Sequence, residues 1–201
     1  MKKLSLIAMM ALAALSFQAC NGGAKNGAAD SSAAVKDTAD SANKVKDTTT
    51  TGATGIAVTA DDAKFATGAA NAGLAEVAIG QLASEKATNA KVKDFAKMMV
   101  TDHTKANDEL MALAKTKNIS LPTEPDADHQ KKKTELAAKS GADFDKAYVD
   151  AMVDGHKKVA SMFEDASKNC KDPDLKAWAA KTLPTIQHHL AEIEAIQKGM
   201  K

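Results

Sequence analysis

Phe95-Ala-Lys-Met-Met99-Val100-Thr-Asp-His103 and Tyr148-Val-Asp-Ala-Met152-Val153-Asp-Gly-His156 are two copies of one phrase. Each reads aromatic, three residues, Met-Val, two residues, His. On an α-helix the aromatic, the Met and the His fall at i, i+4 and i+8, along one face. Each copy therefore lays a histidine along an apolar stripe. A buried ring nitrogen without a partner costs free energy, so what these two histidines face is the central question.

The remaining chain supplies the surroundings for those stripes. It has 201 residues, 44% hydrophobic but only 3% aromatic, with much of the apolar count in alanine. Alanine, lysine and leucine with helical periodicity imply an all-α protein with closely packed helices. The formal net charge is +1, and two of the positive charges are Lys2 and Lys3 at the extreme N-terminus. A near-neutral domain offers no electrostatic reason to expect a nucleic-acid partner.

Residues 1–19 read as a signal peptide. Lys2 and Lys3 precede an apolar run from Leu4 to Phe17, too short to span a bilayer. The run closes Phe17-Gln18-Ala19-Cys20. Lipoprotein signal peptidase requires an apolar −3, a small −1 and then Cys, and Phe17, Ala19 and Cys20 meet that pattern, with Gln18 a bulky departure at −2. Phe17 fits poorly with ordinary signal peptidase, after which Cys20 would be a plain thiol. Cys20 is accordingly expected to be the lipidated first residue of the mature chain, because several acyl chains on one cysteine anchor stably where one is marginal. The membrane, reached through Cys20, is then a partner. Cys170 is left as the one remaining thiol, with no internal disulfide available to it.

Residues 20–60 are expected to be a lipid-anchored, disordered tether. They are rich in Ala, Ser, Thr, Asp, Lys and Gly and contain no aromatic residue, so they cannot bury enough surface to offset the entropy of ordering. Fully extended, such a stretch reaches ~130 Å.

Residues 61–201 read as a four-helix bundle. Helix one spans about 61–88, with Asp61 or Asp62 as its cap and an inward stripe of Phe65, Ala69, Ala72, Glu76, Ile79 and Ala83. Helix two spans about 89–117, with Asn89 as cap and Val92, Ala96, Met99, His103, Ala106 and Leu110 inward. A long connection follows, containing a short polar helix near 126–139 that docks through Leu136. Helix three spans about 143–169, with Phe144, Tyr148, Met152, His156 and Phe163 inward. Asp172-Pro173 starts helix four, a capping residue with proline in the first turn. Leu175, Ala179, Leu183, Ile186, Leu190 and Ile193 form its stripe, and Pro184 is expected to kink it. Two tight antiparallel pairs joined by a long connection between helices two and three are the ferritin-like form of a four-helix bundle.

Each helix then contributes one inward polar residue: Glu76, His103, His156 and His189. His188 points away. Counted from the turns at ~1.5 Å per residue, Glu76 lies about 3 Å from the height of His103, and His156 about 4.5 Å from that of His189. A single polar layer near mid-bundle follows. Three imidazoles and a carboxylate suit zinc, copper or iron. The same cluster could serve instead as a hydrogen-bonded layer that fixes helix register. A dinuclear iron centre is not expected. Such bundles carry Glu-x-x-His pairs, and Val100 and Val153 stand three residues before His103 and His156. Met99 and Met152 read as core, although their thioethers would favour Cu(I) if they reached the layer. His129 reads as solvated. There is no Gly-x-Ser-x-Gly, phosphate loop or Cys-x-x-Cys, so enzymatic activity is not the expectation.

The stretches Glu76-Val-Ala-Ile-Gly80-Gln-Leu-Ala83, Val92-Lys-Asp-Phe95-Ala96, Met99-Val-Thr-Asp102-His103, Tyr148 to His156, and Leu183-Pro184 with His189-Leu190 resemble the bacterial family called domain of unknown function 4142. The resemblance covers roughly residues 60–200. It implies a ferritin-like helical bundle of the cell envelope, often labelled a predicted outer-membrane protein, and supplies no activity. The expectation from the sequence is a lipid-anchored envelope protein, at the outer membrane and facing the periplasm, that acts by binding or interaction with an unidentified protein partner. The alternative is mononuclear metal binding or redox protection through the Glu/His layer.

Overall fold

A computed structural model describes residues 58–200 of the chain. The expected signal peptide, Cys20 and most of the expected tether lie outside the described residues. Four long helices and one short one account for the fold: α1 (Ala60–Lys86), α2 (Ala90–Thr116), α3 (Ala127–Ala137), α4 (Gly141–Asn169) and α5 (Pro173–Gly199). None of these helices is long and apolar enough to cross a membrane.

Local chemistry sets the helix ends. Thr59, rather than Asp61 or Asp62, caps α1. Its hydroxyl accepts from the Asp62 N–H while Asp62 returns a bond to the Thr59 N–H, a reciprocal capping box. The Asp62 carboxylate is therefore one turn inside the helix, where it is also free to reach another element. Asn89 caps α2 and Asp172 caps α5, with Pro173 in the first turn where its missing N–H costs nothing. At the end of α2, Asn118 takes φ 53° and the Ile119 N–H returns to the Ala114 carbonyl at 2.9 Å, a left-handed stop.

α1 pairs with α2 and α4 with α5, each across a turn of a few residues. The pairs meet through α1 against α4 and α2 against α5, and α3 lies across α1 and α4. Leu136 of α3 is buried in the core. Each end of the bundle is tied by a buried aspartate reaching from one pair to the turn of the other. Asp145 of α4 accepts from the N–H groups of Thr88 (3.0 Å) and Asn89 (2.8 Å) in the α1–α2 turn. Asp62 of α1 accepts from the N–H groups of Lys171 (2.9 Å) and Asp172 (3.1 Å) in the α4–α5 turn.

The apolar core is in two blocks. One holds Ile79, Phe95, Met99, Tyr148, Met152 and Ile193, and the other Phe65, Leu110, Phe163, Leu175, Trp178 and Ile186. Along every long helix the changeover from one block to the other falls at the same place: near 76 on α1, 103 on α2, 156 on α4 and 189 on α5. The polar layer divides the core.

Candidate metal centre

The layer begins with a close approach of α1 and α2. Gly73 and Gly80 flank Glu76 by about one turn on each side. A Cβ on Gly80 would lie 3.1 Å from Val100 Cγ2 and 3.2 Å from the Ala96 carbonyl, and one on Gly73 would collide with the Asn107 carboxamide. Glycine at both points lets the two backbones come near enough for Glu76 Oε2 to sit 3.0 Å from His103 Nδ1. Glu76 Oε1 also lies 3.6 Å from His156 Nδ1. Neither contact is an aligned hydrogen bond.

All four residues proposed from the stripes are buried: Glu76, His103, His156 and His189 are at most 7% exposed. The three imidazole rings stand 5.3–5.9 Å apart, centre to centre. One nitrogen from each lies within 4.8 Å of the other two. Bonds of about 2.1 Å to a common ion would draw such nitrogens to roughly 4 Å or less. The required contraction is small.

How each ring is held matters more than the spacing. His156 Nδ1 donates to the Met152 carbonyl at 2.9 Å, which leaves Nε2 as a bare lone pair. His189 Nε2 pairs with Asp102 Oδ2 at 2.9 Å, which leaves Nδ1. His103 has Glu76 beside Nδ1, which leaves Nε2. Those three remaining nitrogens, and Glu76 Oε2, are buried without a hydrogen-bond partner. His156 and His189 are thus each held by a hydrogen bond at one nitrogen, His103 has the Glu76 carboxyl beside one nitrogen, and every ring keeps a second nitrogen unpartnered. Metal-ligating histidines are held in this way, because the rear partner fixes the tautomer and the ring plane. Glu76 stands behind two rings and is not among the atoms that converge.

Electrostatics agree with neutral, electron-donating rings. Burial, reinforced by His189 and His156, pushes His103 down to about 3. Burial pushes His156 down to about 4 against the opposing bond to Met152. Burial also lowers His189, although Asp102 pulls the other way. Burial raises Glu76 to about 8, so its carboxyl carries a proton at neutral pH.

Phe95 closes the layer on one side, with its ring 6.3 Å and edge-on to both His156 and His189. The aromatic of the first phrase thus packs on the histidine of the second. Met99 and Met152 lie in the same apolar block as Phe95. On the other side, a cavity of about 550 Å³ between α1, α3 and α4 has Glu76 in its wall, together with Ile79, Met152, Gly155 and Met162.

Asp102 is the functional residue that the stripes miss. It stands next to His103 in sequence, about 100° around α2, and faces α5 rather than the bundle axis. The Asp-His dipeptide was the available signal. His129 keeps its side chain 39% exposed and lies 2.7 Å from Asp126 and 3.3 Å from Asn71, linking α3 to α1. His188 is exposed and lies 3.6 Å from Glu192. Cys170 caps α4 half-buried, its thiol pushed up to about 12 by burial and by Asp62, Asp165 and Asp172, which makes it a poor nucleophile.

Residues 46–196 match the profile of a family described as domain of unknown function (DUF4142). No curated protein matches the chain. Among solved structures, the crystal structure of a DUF305 fragment from Deinococcus radiodurans is similar, with a TM-score of 0.62 at 10% identity, covering 70% of this chain and 97% of that one. At that identity the likeness is one of fold.

Proposed function

The chain belongs to the DUF4142 family, and from that premise we propose that its bundle is a mononuclear transition-metal-binding domain carried in the cell envelope. One observation carries the reading: three buried imidazoles from three helices each bring a ring nitrogen within 4.8 Å of the other two, and each ring keeps one nitrogen without a hydrogen-bond partner. A register-setting polar layer would be expected to pair those nitrogens with one another or with Glu76. Instead they are left unpartnered, at the cost of a desolvation penalty of roughly 1–3 kcal/mol each. A bound cation turns that penalty into ligation.

Three neutral imidazoles suit zinc, copper or iron as a single divalent ion. Glu76 and Asp102 would orient His103 and His189 and balance the added charge. Glu76 would give up its proton as the ion arrives, so affinity rises with pH. Two metal ions are not proposed, because one carboxyl alone enters the layer.

The location is part of the proposal. Lys2, Lys3, the apolar run to Phe17 and the Ala19-Cys20 junction support lipidation at Cys20 and attachment to the outer membrane, facing the periplasm. Mass spectrometry of the mature N-terminus tests it: an unmodified Cys20 refutes the anchor.

For the metal, the test is elemental analysis of full-length protein purified without a histidine tag. One equivalent of zinc, copper or iron is expected, lost in both His103→Ala and His156→Ala. Failure to bind any of the three at micromolar concentration overturns the reading.

A further inference from the structure

The tri-histidine site is enclosed, yet an ion must reach it. Phe95 blocks one side with its ring edge, and the two core blocks close the layer above and below. A cavity between α1, α3 and α4 reaches the layer, and Glu76 is the layer residue that lines it. Its side chain is 7% exposed; one oxygen lies 3.0 Å from His103, and the other 3.6 Å from His156. Gly155 stands at the same point on the α4 side: a Cβ there would be 4.0 Å from Glu76 Oε1. The absence of a side chain at 155 leaves Glu76 accessible from the cavity.

Several donors line this cavity: the exposed carboxylates of Asp128 and Asp154 at its rim, the partly buried His129 and Met162, and the buried Met152 and Glu76. Lys132 and Lys158 also line it and offset the two rim carboxylates, so charge steering is weak. What the lining offers is oxygen, imidazole and thioether donors, the chemistry that lets a transition ion exchange water for protein ligands.

We propose that this cavity is the passage by which a transition-metal ion enters and leaves the tri-histidine site, with Glu76 as the carboxyl that hands it between cavity and imidazoles. The proposal rests on the metal-site reading above. Glu76 is here a transfer residue as well as a rear support for His103, and Gly155 is an opening kept clear.

A passage controls rates, whereas ligands control affinity. The experiment is stopped-flow loading of the full chain with Zn²⁺ and release to a chelator, in the native protein and in Gly155→Leu. Leucine favours helix over glycine, and a Cβ at 155 meets nothing closer than Glu76 Oε1 at 4.0 Å, so the fold is expected to tolerate it. Loading and release should both slow by about tenfold or more, while the equilibrium affinity stays within about twofold. Ala151→Leu, one turn earlier on the same wall, repeats the test should Gly155→Leu fold poorly. If the native protein binds Zn²⁺ and both variants load at its rate, the passage is overturned and the metal site stands. If the native protein does not bind Zn²⁺, copper or iron, both proposals fall together.

Discussion

Two buried polar clusters sit in this bundle and are treated in opposite ways. At the end where α1 starts, Lys117, Asp62 and Asp172 are all at most 2% exposed. Lys117 Nζ meets Asp172 at 2.6 Å and Asp174 at 2.8 Å, Asp172 caps α5, and Asp62 holds both the α1 cap and the α4–α5 turn. Burial works against the Lys117 charge, but the two carboxylates raise its pKa overall; burial also opposes the charge on Asp62, yet its backbone and Thr59 bonds hold the carboxyl below its ordinary value. At mid-bundle, Glu76, His103, His156 and His189 are as deeply buried, yet among the described residues four of the six buried, unpartnered side-chain atoms belong to them. The other two are the Tyr148 hydroxyl and the Trp178 Nε1. The first cluster is complete within the chain. The second leaves four buried polar atoms unpartnered within the chain. A fold able to pair every group at one end has no chemical obstacle to pairing them in the middle, and that contrast argues for a ligand.

The sharpest break of the comparison is Lys117→Met. It leaves Asp172 buried without its counter-charge and should cost about 3–5 kcal/mol in urea unfolding. A loss under 1 kcal/mol would mean that the end cluster is not the closed structure described.

Next in size is the pH dependence of the metal-free protein. The histidines have folded pKa values below the unfolded ~6.5, so as pH falls through 6.5 the unfolded chain takes up protons that the folded one refuses, and stability drops. Glu76 works oppositely. Its folded value near 8 exceeds the unfolded ~4.3, so stability falls as pH rises from about 4.3 to 8. Three imidazoles outweigh one carboxyl below 6.5, and the carboxyl acts alone above it. A maximum near pH 6.5 is expected, with about 2 kcal/mol lost by pH 5. A chelator-treated sample whose thermal midpoint keeps rising to pH 8 would contradict this.

Asp102→Asn weakens the rear support of His189 and should cut ion affinity by about 10–100-fold, read by competition with a chromophoric chelator. Unchanged affinity would reduce Asp102 to a surface contact.

The smallest effect separates the clusters by sign. His156→Leu removes an unpartnered nitrogen and fills its place with apolar volume. In metal-free protein it should leave stability unchanged or raise it by up to ~1 kcal/mol, while abolishing ion binding. Marked destabilisation would show that His156 is a structural member of the core.

Much of this was legible in the chain. Helical period and turn spacing sufficed to place Glu76, His103, His156 and His189 inward at one height, because both depend on a single helix or hairpin at a time. What depends on the packing of separate helices was not legible. The stripe positions do not reveal that Asp102, on the flank of α2, meets His189, since this follows from the way α2 crosses α5. Nor do they show that Glu76 stands behind the rings, which needs the close approach allowed by Gly73 and Gly80. The α1 cap was missed for a local reason: Thr59-Ala-Asp-Asp62 has the capping-box spacing, with aspartate in place of the usual glutamate or glutamine.

The two bonds from Asp62 to the α4–α5 turn join residues 109 and 110 positions apart. They lie within one turn of Thr59, where the described chain enters the bundle. Tension applied to the domain from its N-terminal side is met first by this tie. The load passes from the start of α1 straight into the α4–α5 hairpin, across a junction that must shear before α1 can peel away. The histidine layer lies about twelve helical turns of chain away through α2 but only a few turns along α1, beyond that junction. A force applied at the start of α1 therefore loads the α4–α5 hairpin before it reaches the histidine layer.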